Sequence, residues 1–137
     1  MRILGLDPGS KRVGVALSDE LQMIAQPLEY VLAEPVADLL ARLKELVEAQ
    51  GVETVIVGMP RNMDGSYGPA AEKSKAFISK LEEILTIPIR AWDERLTSAQ
   101  ANRILIEGNV SRKKRKEKVD KMAAAILLQS FLDSQAP

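Results

Sequence analysis

Four carboxylates sit where they could do chemistry. Asp7 closes the apolar run RILGLD (2–7) and is followed by Pro8-Gly9-Ser10. An acid at the end of a central strand is costly unless a cation or donors meet it, and ligand crevices open at the carboxyl ends of parallel strands. Its plainer role is an Asx-turn acid capping the 7–10 loop. Asp93 and Glu94 close a second apolar run, IPIRAW (87–92), just before Arg95 and Thr97. A single acid there would complement the N-terminus of a following helix, by about 0.3–1 kcal/mol. Two adjacent acids point to opposite faces in a strand, which leaves one for another role. Asp120 shares a helical face with Ala123, Ala124, Leu127 and Phe131, at the edge of an apolar stripe rather than on a polar face, where a solvated acid belongs. Carboxylates converging without His or Cys describe an oxygen-rich site for a hard cation, Mg²⁺ or Mn²⁺. Two such ions about 3.5–4 Å apart suit phosphodiester hydrolysis.

The composition narrows the alternatives. The chain has no Cys and no His. Disulfides, thiolate catalysis, Cys-ligated zinc, imidazole bases and Ser-His-Asp triads are thereby excluded. Its 19 basic residues balance 19 acidic ones, for a net charge of zero. That zero hides an uneven distribution. The stretch SRKKRKEKVDK (111–121) holds seven bases and two acids, a net +5, which leaves −5 on the remainder. Arg112, Lys113, Lys114, Arg115, Lys116 and Lys118 fall at or before the start of a helix, where the macrodipole disfavours cations. Helix stability therefore explains them poorly and phosphate contacts explain them economically; a solvated charged loop is the alternative. Lys11 and Arg12 beside Asp7, Arg95, and Asn62 and Tyr67 in the loop RNMDGSYG (61–68) complete the expected nucleic-acid contacts.

The 137 residues suit one domain spanning 1–137, long enough to bury about two-thirds of its unfolded surface. Its elements follow from hydrophobic period. Arg2–Asp7 and Arg12–Ser18 are expected to form an antiparallel hairpin across a short Gly-containing loop. Met23–Leu32 follows as a strand in which Pro27 requires an edge position or a bulge. Residues 36–50 carry a helical pattern that Gly51 terminates, and Val52–Gly58 is a β-branched strand. A helix bearing Phe77, Ile78, Leu81, Ile84 and Leu85 comes next, then a strand over Ile87–Trp92. A helix capped by Thr97 and Gln100 runs to about Gly108, and the last spans about Arg115–Leu132. The order βββαβαβαα predicts an α/β fold: a five-stranded mixed sheet with helices on both faces.

These residues also carry a family likeness. GLDPGSKRVGVALSD (5–19), VGMPRNMDGSYGP (57–69), DERLTS (93–98) and SRKKRKEKVDKMAAAILLQ (111–129) resemble the YqgF (RuvX) family, across essentially the whole chain. That bacterial group is described as pre-16S rRNA nucleases and Holliday junction resolvases. The resemblance implies a ribonuclease H-like fold, Mg²⁺ or Mn²⁺ dependence and a role in ribosomal RNA maturation. It also implies that Asp7, Glu94 and Asp120 are the catalytic acids, with Asp93 matching the same motif as Glu94. Related resolvases place an acid at the end of the fourth strand, where this chain reads Gly58-Met59-Pro60. The second carboxylate would then come from the fifth strand.

The expected function is a metal-dependent nuclease, with two ions held by Asp7, Glu94, Asp120 and Asp93, acting on pre-rRNA or on structured DNA such as a four-way junction. A non-catalytic nucleic-acid-binding factor in ribosome assembly is the alternative. An actin- or sugar-kinase-like ATPase needs a second phosphate loop and an adenosine motif that this length does not hold. With no apolar run near the ~20 residues of a membrane span and no signal-peptide core, a cytoplasmic protein is expected, as a monomer or homodimer.

Overall fold

The computed structural model describes the backbone of residues 1–59, 68–93 and 112–135, and their side chains except those of Ala70 and 112–121. The elements are β1 (Arg2–Pro8), β2 (Arg12–Ser18), β3 (Ala25–Leu32), α1 (Val36–Gln50), β4 (Val52–Met59), α2 (Pro69–Ile84), β5 (Ile89–Asp93) and α3 (Arg112–Gln135). The strands form one five-stranded sheet in the order β3-β2-β1-β4-β5. β1 pairs antiparallel with β2 and parallel with β4, β2 pairs antiparallel with β3, and β4 pairs parallel with β5. This is the mixed sheet that a hairpin followed by βα units requires. The helix expected near 97–108 lies outside the described residues.

Side chains alternate across a strand, so each strand gives one row to each face. Leu4, Leu6, Val13, Val15, Val55 and Val57 pack with Leu39, Leu43, Leu46 and Val47 of α1 and Leu81 of α2. Each such burial contributes about 1.5–3 kcal/mol relative to exposure. Ile3, Ala16 and Ile56 take the other face, under Ala124, Ala125, Leu128, Phe131 and Leu132 of α3. The helices thus cover both faces, as expected.

Local chemistry sets the boundaries. Gly51 ends α1 in the left-handed region (φ +63°) and donates its N–H to the Val47 carbonyl, a conformation that suits a residue without Cβ. β3 is an edge strand, and its pairing shifts register between Val15 and Ala16, opposite Pro27. It starts two residues later than the apolar pattern suggests, at Ala25. The reason is Asp19, whose Oδ1 accepts the N–H groups of Met23 (2.8 Å) and Ile24 (3.0 Å) and holds them in a loop. Arg42 of α1 forks onto Glu29 of β3 at 3.1 and 2.7 Å, tying that helix to the edge. The two Glu29 contacts raise the Arg42 pKa further.

Candidate active site

The direction of α3 decides what meets Asp7. Gln129 accepts the Ala25 N–H at 2.8 Å, and Ala25 is paired with Ser18, whose hydroxyl accepts the Ile3 N–H at 2.8 Å. Gln129 therefore sits level with the start of β1. Over the preceding residues 124–128 the helix meets Gly5, where a Cβ would stand 2.8 Å from the Leu128 Cβ and 3.4 Å from the Ala124 carbonyl oxygen. Only a residue without a side chain lets α3 come this close. α3 thus runs antiparallel to β1, and its N-terminal half points toward the carboxyl end of that strand.

Asp7 lies two residues beyond Gly5 and so on the same, α3-covered face. It is half-buried, on the strand flanked by β2 and β4. Position 120 lies four residues before Ala124, one turn further toward Asp7 along the same stripe. The neighbours predicted for that stripe, Ala123, Ala124, Leu127 and Phe131, are buried; the side chain of Asp120 lies outside the described residues.

At the end of β5 the two adjacent positions separate. Trp92 packs edge-on against Phe131, with ring centroids 5.3 Å apart and planes at 87°, and its Nε1 donates to the Ser130 hydroxyl at 3.3 Å. Trp92 therefore faces α3. Asp93, paired in register with Met59, takes the α1/α2 side. The alternation turns Asp93 away from the face that carries Asp7. Glu94 and Arg95 lie outside the described residues, as do Asn62 and Tyr67. Among the described residues no three acidic or metal-ligating side chains converge.

The expected basic contacts divide similarly. Lys11 is exposed in the β1–β2 turn, and its carbonyl accepts the Ala33 N–H at 2.9 Å. Arg12 begins β2 on the α3 face, and its guanidinium carbon lies 5.2 Å from the Tyr30 ring centroid. α3 begins at Arg112, three residues earlier than expected. Arg112, Lys113, Lys114, Arg115 and Lys116 therefore fill its first five positions, with Lys118 following and no acid in the first turn. Tyr30 was not among the predicted residues. Strand alternation alone could not choose its face, because the register shift beside Pro27 intervenes.

A cavity of about 450 Å³ opens on the opposite face, bordered by Gly9, Ser10, Leu39, Lys73, Phe77 and Lys80. The sheet separates it from the side that Asp7 faces.

The arrangement is thus an acid at the carboxyl end of a central parallel strand, under a helix that begins in a run of cations. Residues 1–134 match the RuvX family, described as Holliday junction resolvase. The chain belongs to the RuvX family. A relative from Halothermothrix orenii, named "Putative pre-16S rRNA nuclease", is 51% identical over 135 residues, 98% of this chain and 96% of that protein. Among solved structures, Thermus thermophilus RuvC in complex with Holliday junction substrate aligns at a TM-score of 0.57 and 20% identity, covering 99% of this chain and 96% of that one. The fowlpox virus resolvase bound to Holliday junction DNA aligns at 0.59 and 14% identity, over the full length of both. These likenesses bear out the ribonuclease H-like fold. RuvX membership places the chain among hydrolytic nucleases. No described helix is long and apolar enough to cross a membrane.

Proposed function

We propose that this chain is a divalent-metal-dependent endonuclease that matures the 5′ end of pre-16S rRNA. The observation that carries the reading is the antiparallel run of α3 over β1, with Gly5 clamped on Leu128 and Ala124. It brings position 120 toward the level of Asp7, the strand-end acid on the same face. Asp120 belongs to the α3 stripe and Glu94 directly follows β5 in sequence; Asp93 turns to the α1/α2 side while Trp92 faces α3, so we assign the second acid to Glu94 and leave Asp93 a supporting role. A set of carboxylates alone suits Mg²⁺ or Mn²⁺, as one ion or a pair. When bound, such ions supply Lewis-acid activation and charge neutralisation at a phosphodiester. The chain's own residues then orient the substrate. Asp7, Glu94 and Asp120 hold the charge at the strand ends, and Arg112–Lys118 with Lys11, Arg12 and Arg95 grip phosphates on either side. Asn62 and Tyr67 contact the strand from the 61–68 loop. Such contacts neutralise backbone and carry no sequence information, so substrate choice follows the relatives' name. The reading extends to a cytoplasmic protein of one domain, working as a monomer or homodimer.

The test compares cleavage of a pre-16S 5′ leader with cleavage of a four-way DNA junction, each with added Mg²⁺. The leader is expected to be cut, and Asp7→Asn to abolish the cut while leaving the thermal melt unchanged. Full activity in Asp7→Asn overturns the reading. Exclusive cutting of the junction transfers the site to a resolvase, which requires two coordinated centres and hence a symmetric dimer. Binding that survives EDTA and Asp7→Asn, with neither substrate cut, makes the chain an assembly factor.

A further inference from the structure

We infer that Tyr30 and Arg12 form a stacking platform for an unpaired base of the substrate strand, beside Asp7. The inference rests on the nucleic-acid reading above and adds a recognition residue to it. Asp7 pairs in register with Gly14, and Gly14 with Tyr30. The three positions form one row across β1, β2 and β3, on the α3 face. At about 4.8 Å per strand, Tyr30 stands roughly 10 Å from Asp7. The middle position of the row is Gly14, which adds no side chain of its own to it. A strand laid along it spans the gap in about three stacked nucleotides at 3.4 Å each.

The far end of this row is built to hold a flat, electron-rich group next to a phosphate. Tyr30 is 37% exposed as a residue although it lies on the interior-type face of the sheet. Gln129 of α3 meets Ala25 at the start of β3, whereas Leu32, at the end of the strand on the same face, is 62% exposed. Arg12 stands over the ring at 5.2 Å, which places a planar cation in contact with the π-face. An aromatic ring with an adjoining guanidinium is the surface that single-stranded nucleic acid prefers, because every base has a π-face and every nucleotide a phosphate. Paired bases keep their faces inside the duplex, so the platform selects unpaired strand. The cations of Lys11 in the adjoining turn and of Arg112–Lys118 at the head of α3 match the backbone charge of that strand.

The experiment uses the full chain carrying Asp7→Asn, which holds substrate uncut, and a short single-stranded RNA with 2-aminopurine at each position in turn. Quenching is expected at one position or two neighbouring ones, retained in Tyr30→Phe and lost in both Tyr30→Ala and Tyr30→Leu. The Leu variant keeps apolar bulk on the strand and separates loss of the ring from loss of packing. In the chain with Asp7 intact, Tyr30→Ala should raise KM for the leader about 5- to 150-fold, corresponding to 1–3 kcal/mol per stacked base, with kcat little changed. Binding of a fully paired duplex should not change. Wild-type quenching and KM in Tyr30→Leu, or equal loss of binding on duplex and single strand, would overturn the platform. Neither result touches the nuclease reading, which fails if Asp7→Asn still cuts or if the wild-type chain cuts neither substrate.

Discussion

The two faces of the sheet are made of different residues, and the difference divides stability from function. The α1/α2 face is lined by branched aliphatics, with Leu4, Leu6, Val13, Val15, Val55, Val57 and Leu43 essentially inaccessible. The α3 face carries Gly5, Gly14, Ala16 and Gly58 on its strands, and the run Ala123-Ala124-Ala125 on its helix. Large side chains hold layers at a distance set by their volume. Small ones let a helix backbone approach the sheet, which brings groups on the helix and the strand ends within reach of one another. Both faces bury a core, but the second, with Ile3, Ile56, Leu128 and Phe131 among its small residues, is the closer fit and ends in an acid.

Two substitutions should break this comparison from opposite sides. Asp7→Asn should reduce cleavage by more than the roughly 10–100-fold that losing a mere outer-shell partner of a metal costs, with an unchanged denaturation midpoint. Leu43→Ala, at a fully buried position of α1, should lower stability by about 2–5 kcal/mol. Urea titration measures the loss, and the rate per folded molecule should stay at the wild-type value. A Leu43→Ala protein that folds well but turns over slowly would mean that the α1/α2 face also shapes the site.

Gly5→Ala sharpens the contrast, because it should move both quantities at once. The new Cβ meets the Leu128 Cβ at 2.8 Å, closer than real Cβ atoms come. α3 must shift, at about 1–3 kcal/mol for overpacking, and the shift displaces position 120 relative to Asp7. Activity should therefore fall further than the lost stability explains. Leu128→Gly in the same chain removes the Cβ that the new methyl meets, so partial recovery of activity per folded molecule in the double variant is the decisive measurement.

Much of this was legible from the sequence, and what was not has physical reasons. The β1–β2 hairpin, α1 with its Gly51 stop, and the edge placement of β3 from Pro27 are local signals that tertiary packing reinforced. The apolar stripe before and after Asp120 placed α3 correctly, because a period of 3.6 needs no knowledge of the partner. The helix starts at Arg112, three residues before the start that the pattern suggests. Arg, Lys and Glu are strong helix formers, and their propensity outweighs the unfavourable dipole at Arg112. β5 starts at Ile89 because Pro88 has no N–H for a ladder and serves only as acceptor, taking the Val55 N–H at 3.0 Å. The separation of Asp93 from its neighbour, and the face taken by Tyr30, depend on pairing between strands distant in sequence. No single strand encodes them.

Asp19 supplies the control for these acids, a carboxylate whose role is structural. It sits in the β2–β3 loop at the opposite end of the sheet from Asp7, and it accepts two backbone N–H bonds within its own loop. The bonds from Ile24 and then Met23 hold its pKa below the ordinary 3.8, since they favour the charged form. A depressed folded pKa contributes stability that is present above the unfolded value and is lost as pH falls through the folded one. Asp19→Asn keeps an acceptor and removes the charge. The difference in stability between the wild type and this variant should therefore be constant at neutral pH and vanish below 3.8 as the carboxylate protonates. It should be the smallest of these effects, because the group is exposed to solvent. Amide exchange at Met23 and Ile24 reads it directly, and should quicken in the variant while cleavage at neutral pH is unaltered. A cleavage defect in Asp19→Asn would show that the loop end of the sheet communicates with the Asp7 end, and the division between a packing acid and a working acid would not hold.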